Sequence, residues 1–196
     1  MTQSIMAGLM IAIAAGMYLK VGGAVGACLF AIGLLTILFF KFHLFTGKAG
    51  LLVEKKISRR DLAKVYVGNL IGCYIGTFIL AFAGLPIFEA GAAIYNIRIT
   101  NPWFVNVALG FLCGMLMTIA VRQYEKAPYT TIMCVAGFIL LGANHCVADM
   151  VYMFMHFAVN GWTDRPEAAV IALLCTTVGN IIGCNTIPLA IRKDHP

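Results

Sequence analysis

The sequence predicts an all-α integral membrane protein with six transmembrane helices, arranged as two inverted three-helix repeats whose second members are broken. Three observations carry that prediction. The 196 residues are 61% hydrophobic and 11% charged, with mean hydropathy +0.91, more apolar surface than a soluble domain of this size can hide from water. The apolar residues gather into runs near the roughly 20 residues that cross a hydrocarbon core of about 30 Å. A short motif recurs in the third and sixth of these runs.

The first run, 5–19, follows Met1, Thr2 and Gln3 with no basic stretch before it and leads straight into the second. It is therefore read as a structural span and not as a cleavable leader. The second run, 23–40, is interrupted by Lys41-Phe42-His43-Leu44-Phe45-Thr46-Gly47-Lys48. A loop from Glu54 to Lys64 with five basic residues precedes the third run, 63–84. Segment 88–103 leads into the fourth, 104–121, which ends at Arg122 and Lys126. The fifth, 129–157, is interrupted at Gly142-Ala143-Asn144-His145, and the sixth, 168–191, is followed by Arg192 and Lys193. With six spans these three basic segments share one side, against Lys20, Arg98 and Arg165 on the other. The positive-inside rule then places both termini in the cytoplasm of a multi-pass protein of the cytoplasmic (inner) membrane. This distribution at helix ends also accounts for the +6 formal charge without nucleic acid as a partner.

Val67-Gly68-Asn69-Leu70-Ile71-Gly72-Cys73 recurs as Val178-Gly179-Asn180-Ile181-Ile182-Gly183-Cys184, six of seven residues matching 111 positions on. Glycines four apart let helix backbones approach closely, and asparagine can hydrogen-bond across helices. Three spans per half is an odd number, so the halves lie in opposite orientations. The expectation is one transmembrane domain over 1–196, with inverted repeats at about 1–86 and 104–193. Inverted repeats whose broken helices meet near the midplane form transport pathways.

Backbone at membrane depth leaves the helix only where protein or water satisfies it. Each following half-helix is expected to offer free N–H groups and a positive dipole end to an anion, with Thr46 and Asn144 as N-caps. His145 sits just inside the second new N-terminus. An ionisable residue within a span is a functional candidate, and histidine is the side chain whose proton is negotiable near neutral pH. His43 adjoins the first break and either lines the path or caps it, while His156 reads as interfacial. Lys41 and Lys48 either snorkel to the interface or draw anions to the inner mouth. Arg98 is either solvated or attracts anions to an outer vestibule. Asp149 is either a buried hydrogen-bonder or a proton partner. Seven scattered cysteines have no CxxC or metal spacing and read as small hydrophobes. No Ser/His/Asp set, HExxH or paired-carboxylate arrangement points to an enzyme. No metal or cofactor is expected; a distant alternative, a haem-binding redox subunit, would need His43 as the second axial ligand beside His145.

Four stretches resemble the formate/nitrite transporter family. Leu44-Phe45-Thr46-Gly47 is similar to its LFT segment, Gly142 to Met150 to its GFEHSxANM segment, and the two Gly-Asn-x-x-Gly stretches to its GNxxG segments. The resemblance implies an aquaporin-like fold, a homopentamer in the lipid bilayer with one pore per protomer, and passage of small monovalent anions. Formate is the expected substrate, then nitrite, with hydrosulfide or acetate and lactate as the alternative for the same fold. Thr46 and His145 fall on the family's central pair, and Phe30 and Leu34 on apolar pore-lining positions. Leu44 and Phe45 fall on the mobile loop at the inner constriction, with Phe138 facing it, and Arg98 on an outer-vestibule lysine. The pathway expected is thus Thr46, His145, Arg98, Phe30, Leu34, Leu44, Phe45, Phe138 and Asn144. Several positions depart from the pattern: Asn144 stands where the family has an acid, Asp149 where it has asparagine, His43 where it has glutamate, and Gly114 where an asparagine is expected in the fourth span.

Overall fold

The computed structural model describes residues 1–194, with side chains through Ile191. Arg192 and Lys193, part of the charge argument, therefore lie outside the described side chains. Nine helices and no strand occur among the described residues: α1 (Thr2–Val21), α2 (Gly23–Phe39), α3 (Phe45–Ala49), α4 (Arg59–Phe82), α5 (Phe88–Thr100), α6 (Trp103–Gln123), α7 (Tyr129–Leu140), α8 (Cys146–Asn160) and α9 (Pro166–Asp194). Four of them, α1, α4, α6 and α9, are long and apolar enough to cross a bilayer, and α2, α7 and α8 are shorter apolar helices. The two interrupted runs are thus α2–α3 and α7–α8, split where the sequence places the breaks.

Local chemistry sets several boundaries. Ser58 caps α4, its Oγ accepting from the Asp61 N–H at 3.0 Å, with Lys64 closing on Asp61 at 2.9 Å. Gly142, at φ 75°, ends α7 in a conformation that costs an L-residue roughly 1–2 kcal/mol. Helix α5 is an element that the sequence did not announce. It packs on α8 and α9 and carries Arg98 in its last turn.

The bundle is assembled from close helix pairs, α1 on α4 and α6 on α9, with α2 packed on α7. The recurring glycines make the first two pairs possible. A methyl at Gly72 would strike the carbonyl oxygen of Ile5, and one at Gly183 that of Phe111. Gly114 lies against Asn180 and Gly183 in the same way.

Candidate functional site

The asparagines of the two motifs each brace one break. Asn69 accepts from the Phe45 N–H at 2.8 Å and donates to the carbonyls of His43 (2.9 Å) and Ser4 (2.8 Å). Asn180 accepts from the Cys146 N–H at 2.8 Å and donates to the carbonyls of Asn144 and Gly110, both at 2.8 Å. Each amide makes three hydrogen bonds, two donated and one accepted, to the backbone freed by a break and to the helix packed against it. The cysteines of the motifs cross over: Cys73 Sγ donates to the carbonyl of Val147 at 3.4 Å, and Cys184 Sγ to that of Thr46 at 3.3 Å. These two thiols act as weak donors, beyond the small-hydrophobe role read from sequence.

The braced breaks bring Thr46 and His145 together. Thr46 Oγ1 and His145 Nε2 lie 2.8 Å apart, with both residues buried. His145 Nδ1 accepts from the Ala148 N–H at 3.1 Å, which places the proton of a neutral ring on Nε2. Nε2–H therefore donates to Thr46 Oγ1, and the threonine hydroxyl hydrogen is left to point elsewhere. His145 is itself the N-cap of α8, and α3 starts from Leu44 without a side-chain cap, so Thr46 and Asn144 are not the caps. The N–H groups expected to be free at the second break are largely engaged, Cys146 by Asn180 and Ala148 by His145.

One cavity reaches His145, and a second reaches Leu44 and Gly47, on either side of Thr46 in the chain. One, of about 200 Å³, is lined by Phe30, Arg98, Phe138, His145, Asp149 and Tyr152 among others. The other, of about 560 Å³, is lined by Leu34, Leu44, Gly47, Lys41, Lys48 and Arg122 among others. In the first, Phe30 and Phe138 meet edge to face at 6.2 Å, and Phe138 stacks on the His145 ring at 5.7 Å. Leu34, one turn along α2 from Phe30, faces the second.

Three expected positions move. Phe138 lies on the Arg98 side of His145 and not beside Leu44, because α7 carries it against Phe30. Phe45 leaves the path: its ring packs edge-on against Tyr66 of α4 at 4.8 Å. Asn144 lines neither cavity and turns toward α6 and α9, donating to Asn106 Oδ1 at 3.1 Å and Thr176 Oγ1 at 3.4 Å. Asn106, on α6, also donates to the Arg98 carbonyl at 2.8 Å. Sequence reasoning missed Asn106, although it is the one asparagine within an apolar run of that helix.

Arg98 is drawn inward. Its Nε lies 3.6 Å from Asp149 Oδ1, with side chains 12% and 1% exposed. His156 is buried and paired with Asp164 at 3.1 Å, away from both cavities. His43 keeps its backbone on Asn69 and Gln3.

A model of the formate/nitrite transporter family matches residues 1–191. The formate channel FocA of Haemophilus influenzae (strain ATCC 51907 / DSM 11121 / KW20 / Rd) is 26% identical, with 81% of this chain and 69% of that protein covered. A solved structure described as an FNT family ion channel superposes with TM-score 0.84 at 20% identity, covering 99% of this chain and 89% of the other. A pentameric formate channel with formate bound superposes with TM-score 0.79 at 22% identity, covering 98% and 94%. Both likenesses show the fold, the aquaporin-like arrangement of helices with broken second and fifth spans. The chain is a multi-pass membrane protein and belongs to the formate/nitrite transporter family.

Proposed function

We propose that this protein is a channel for small monovalent weak-acid anions, formate first and nitrite next, across the cytoplasmic membrane. The observation that carries the reading is the buried Thr46–His145 hydrogen bond, with a cavity at His145 and a second at Leu44 and Gly47, each carrying basic residues. A bare anion at mid-membrane pays several kcal/mol even after relaxation. The apolar walls, Phe30 and Phe138 on one side and Leu34 and Leu44 on the other, exclude the water that would otherwise hydrate it. Arg98 draws the anion in from outside, and Lys48 and Arg122 do so from the cytoplasm. At the centre the Thr46 hydroxyl, with its oxygen already serving His145, turns its hydrogen to the anion. His145 assists by hydrogen bonding, its Nε2–H holding the Thr46 oxygen so that the hydroxyl hydrogen faces the anion, or by transient protonation. The ring-nitrogen geometry supports the first role, since Nδ1 is occupied as a cap acceptor. A substrate oxygen that acquires a proton crosses the apolar walls as the neutral acid.

The same reading places both termini in the cytoplasm, from the basic loop 54–64 and Arg122. It takes 1–86 and 104–193 as inverted repeats, supported by the matched bracing of the two breaks by Asn69 and Asn180. It assembles five protomers, each with its own pore, as in the pentameric formate channel that shares the fold. The test is uptake into proteoliposomes of formate, nitrite, hydrosulfide and chloride across external pH, with His145→Asn beside wild type. Weak-acid uptake should rise toward acidic external pH and collapse in the variant. If no small anion permeates, or if both rate and pH dependence ignore His145, the reading is wrong.

A further inference from the structure

We infer that Asp149 is a proton-carrying residue of the Arg98 cavity, so that this cavity takes up an anion and one proton together. The inference rests on the channel reading above and adds to it the source of the proton.

Asp149 and Arg98 line the same cavity as His145. Asp149 follows His145 by one turn of α8, its N–H donating to the His145 carbonyl at 2.8 Å. The ion pair closes to 3.6 Å; no donor meets full hydrogen-bond geometry at either Asp149 oxygen, and Arg98 and Thr176 are the hydrogen-bonding side chains beside the carboxylate. A bidentate guanidinium–carboxylate pair would be a fixed structural joint. This one is a loose electrostatic contact between buried groups that remain open to a third party.

Charge balance then dictates the chemistry. With neutral His145, the empty cavity holds Arg98 positive and Asp149 negative. An anion that pairs with Arg98 strips Asp149 of its counter-charge and leaves a buried carboxylate alone, a strongly unfavourable state. A proton from the aqueous phase on the Arg98 side relieves it: Asp149 becomes a carboxylic acid as Arg98 turns to the anion. The Asp149 O–H bond then breaks as an O–H bond forms on the substrate oxygen. The neutral acid leaves, and the Asp149 carboxylate regains Arg98. One proton and one anion move together, and nothing is oxidised or reduced.

No other group nearby takes this role readily. Around Asp149 stand Arg98 and Tyr95 of α5, Tyr66 of α4, Cys113 of α6, Thr176 of α9, and His145, Cys146 and Tyr152 of α8 itself. Arg98 is the cation among them, and Asp149 the carboxylate.

The experiment titrates formate into the purified, fully assembled protein and records protons taken up per formate bound, at several pH values. Wild type should take up about one proton per formate. Its apparent affinity should weaken about tenfold per pH unit across the range where free Asp149 is ionised. Asp149→Asn should bind formate with no proton uptake and a flat pH profile, and more tightly than wild type at the alkaline end. Asp149→Glu should restore the linkage, which a merely structural role would not require. Arg98→Gln should bind weakly and without proton uptake. Elution of each variant at the wild-type assembly size controls for folding. Proton uptake in Asp149→Asn equal to wild type overturns the inference, as does wild-type binding without proton uptake. In either case formate uptake by wild-type vesicles still supports the channel. Failure of wild type to pass any small anion would overturn both.

Discussion

The His145 ring is defined at both nitrogens, and this makes single-atom changes informative. Thr46→Val keeps shape but removes the acceptor for Nε2–H. A buried donor left without a partner costs about 1–3 kcal/mol, so the variant should lose stability and most formate uptake, whereas Thr46→Ser should retain both. Thermal unfolding beside vesicle uptake measures the two effects separately. On the basic side, Glu54 bonds to Arg122 and to Lys56. The Arg122 hydrogen bond, then that of Lys56, holds its carboxyl below the ordinary value of 4.5. A depressed carboxylate stabilises the fold above its unfolded value and ceases to do so as pH falls through the folded one. Glu54→Gln should therefore lower the melting temperature slightly at neutral pH, with the gap closing below about pH 4.5. Thr46 and His145 were legible in the sequence because polar groups inside apolar runs are rare and costly. Asn144 was misread because N-cap preference is local, while the amides of Asn106 and Asn180 that claim it lie 38 and 36 residues away.

At the scale of elements, both breaks were visible as polar interruptions, and the repeated motif was visible as a string. What the string does was not. Its asparagines brace breaks 24 and 34 residues distant through backbone hydrogen bonds, a relation that no local propensity encodes. Asn69→Ala and Asn180→Ala should each strand several buried backbone groups, at about 1–3 kcal/mol per group, and so yield little assembled protein. Asn→Asp, which keeps the acceptor but sets a carboxylate against the two carbonyls, should do no better than Ala; size-exclusion yield from the same membrane preparation ranks the three. Helix α5 escaped notice because its 13 residues are too short for a span and its N-cap, Ile87, carries no capping side chain. Its importance is positional, since it swings Arg98 over α8 and turns an apparently solvated charge into a wall of the cavity.

The whole molecule shows a wide apolar exterior. Val67, Tyr74, Phe78 and Phe82 on α4 and Val170, Leu174 and Val178 on α9 are all exposed, in keeping with lipid or neighbouring protomers as their surroundings. Under the pentameric reading, brief cross-linking in membranes should give a ladder that stops at five chains of 21.2 kDa, and a ladder that stops at any other number refutes it. Orientation is tested by cysteines placed at Lys55 and Trp162 in a Cys28→Ser background, Cys28 being the exposed native thiol. A membrane-impermeant maleimide should label position 162 in intact cells and position 55 only after the membrane is opened. Span number is written in composition because the bilayer reads composition; the packing of α5 is not, because protein reads it.

The crossed thiols and the last helix have a consequence for how the chain is made. Thr46 is capped by Cys184, and Asn185 closes on the Ala49 carbonyl at 3.0 Å and the Val53 N–H at 3.2 Å. The first break thus waits for residues made more than 130 positions later. A chain halted before α9 therefore has the Asn69 brace of this break but lacks the hydrogen bonds that α9 supplies to α3.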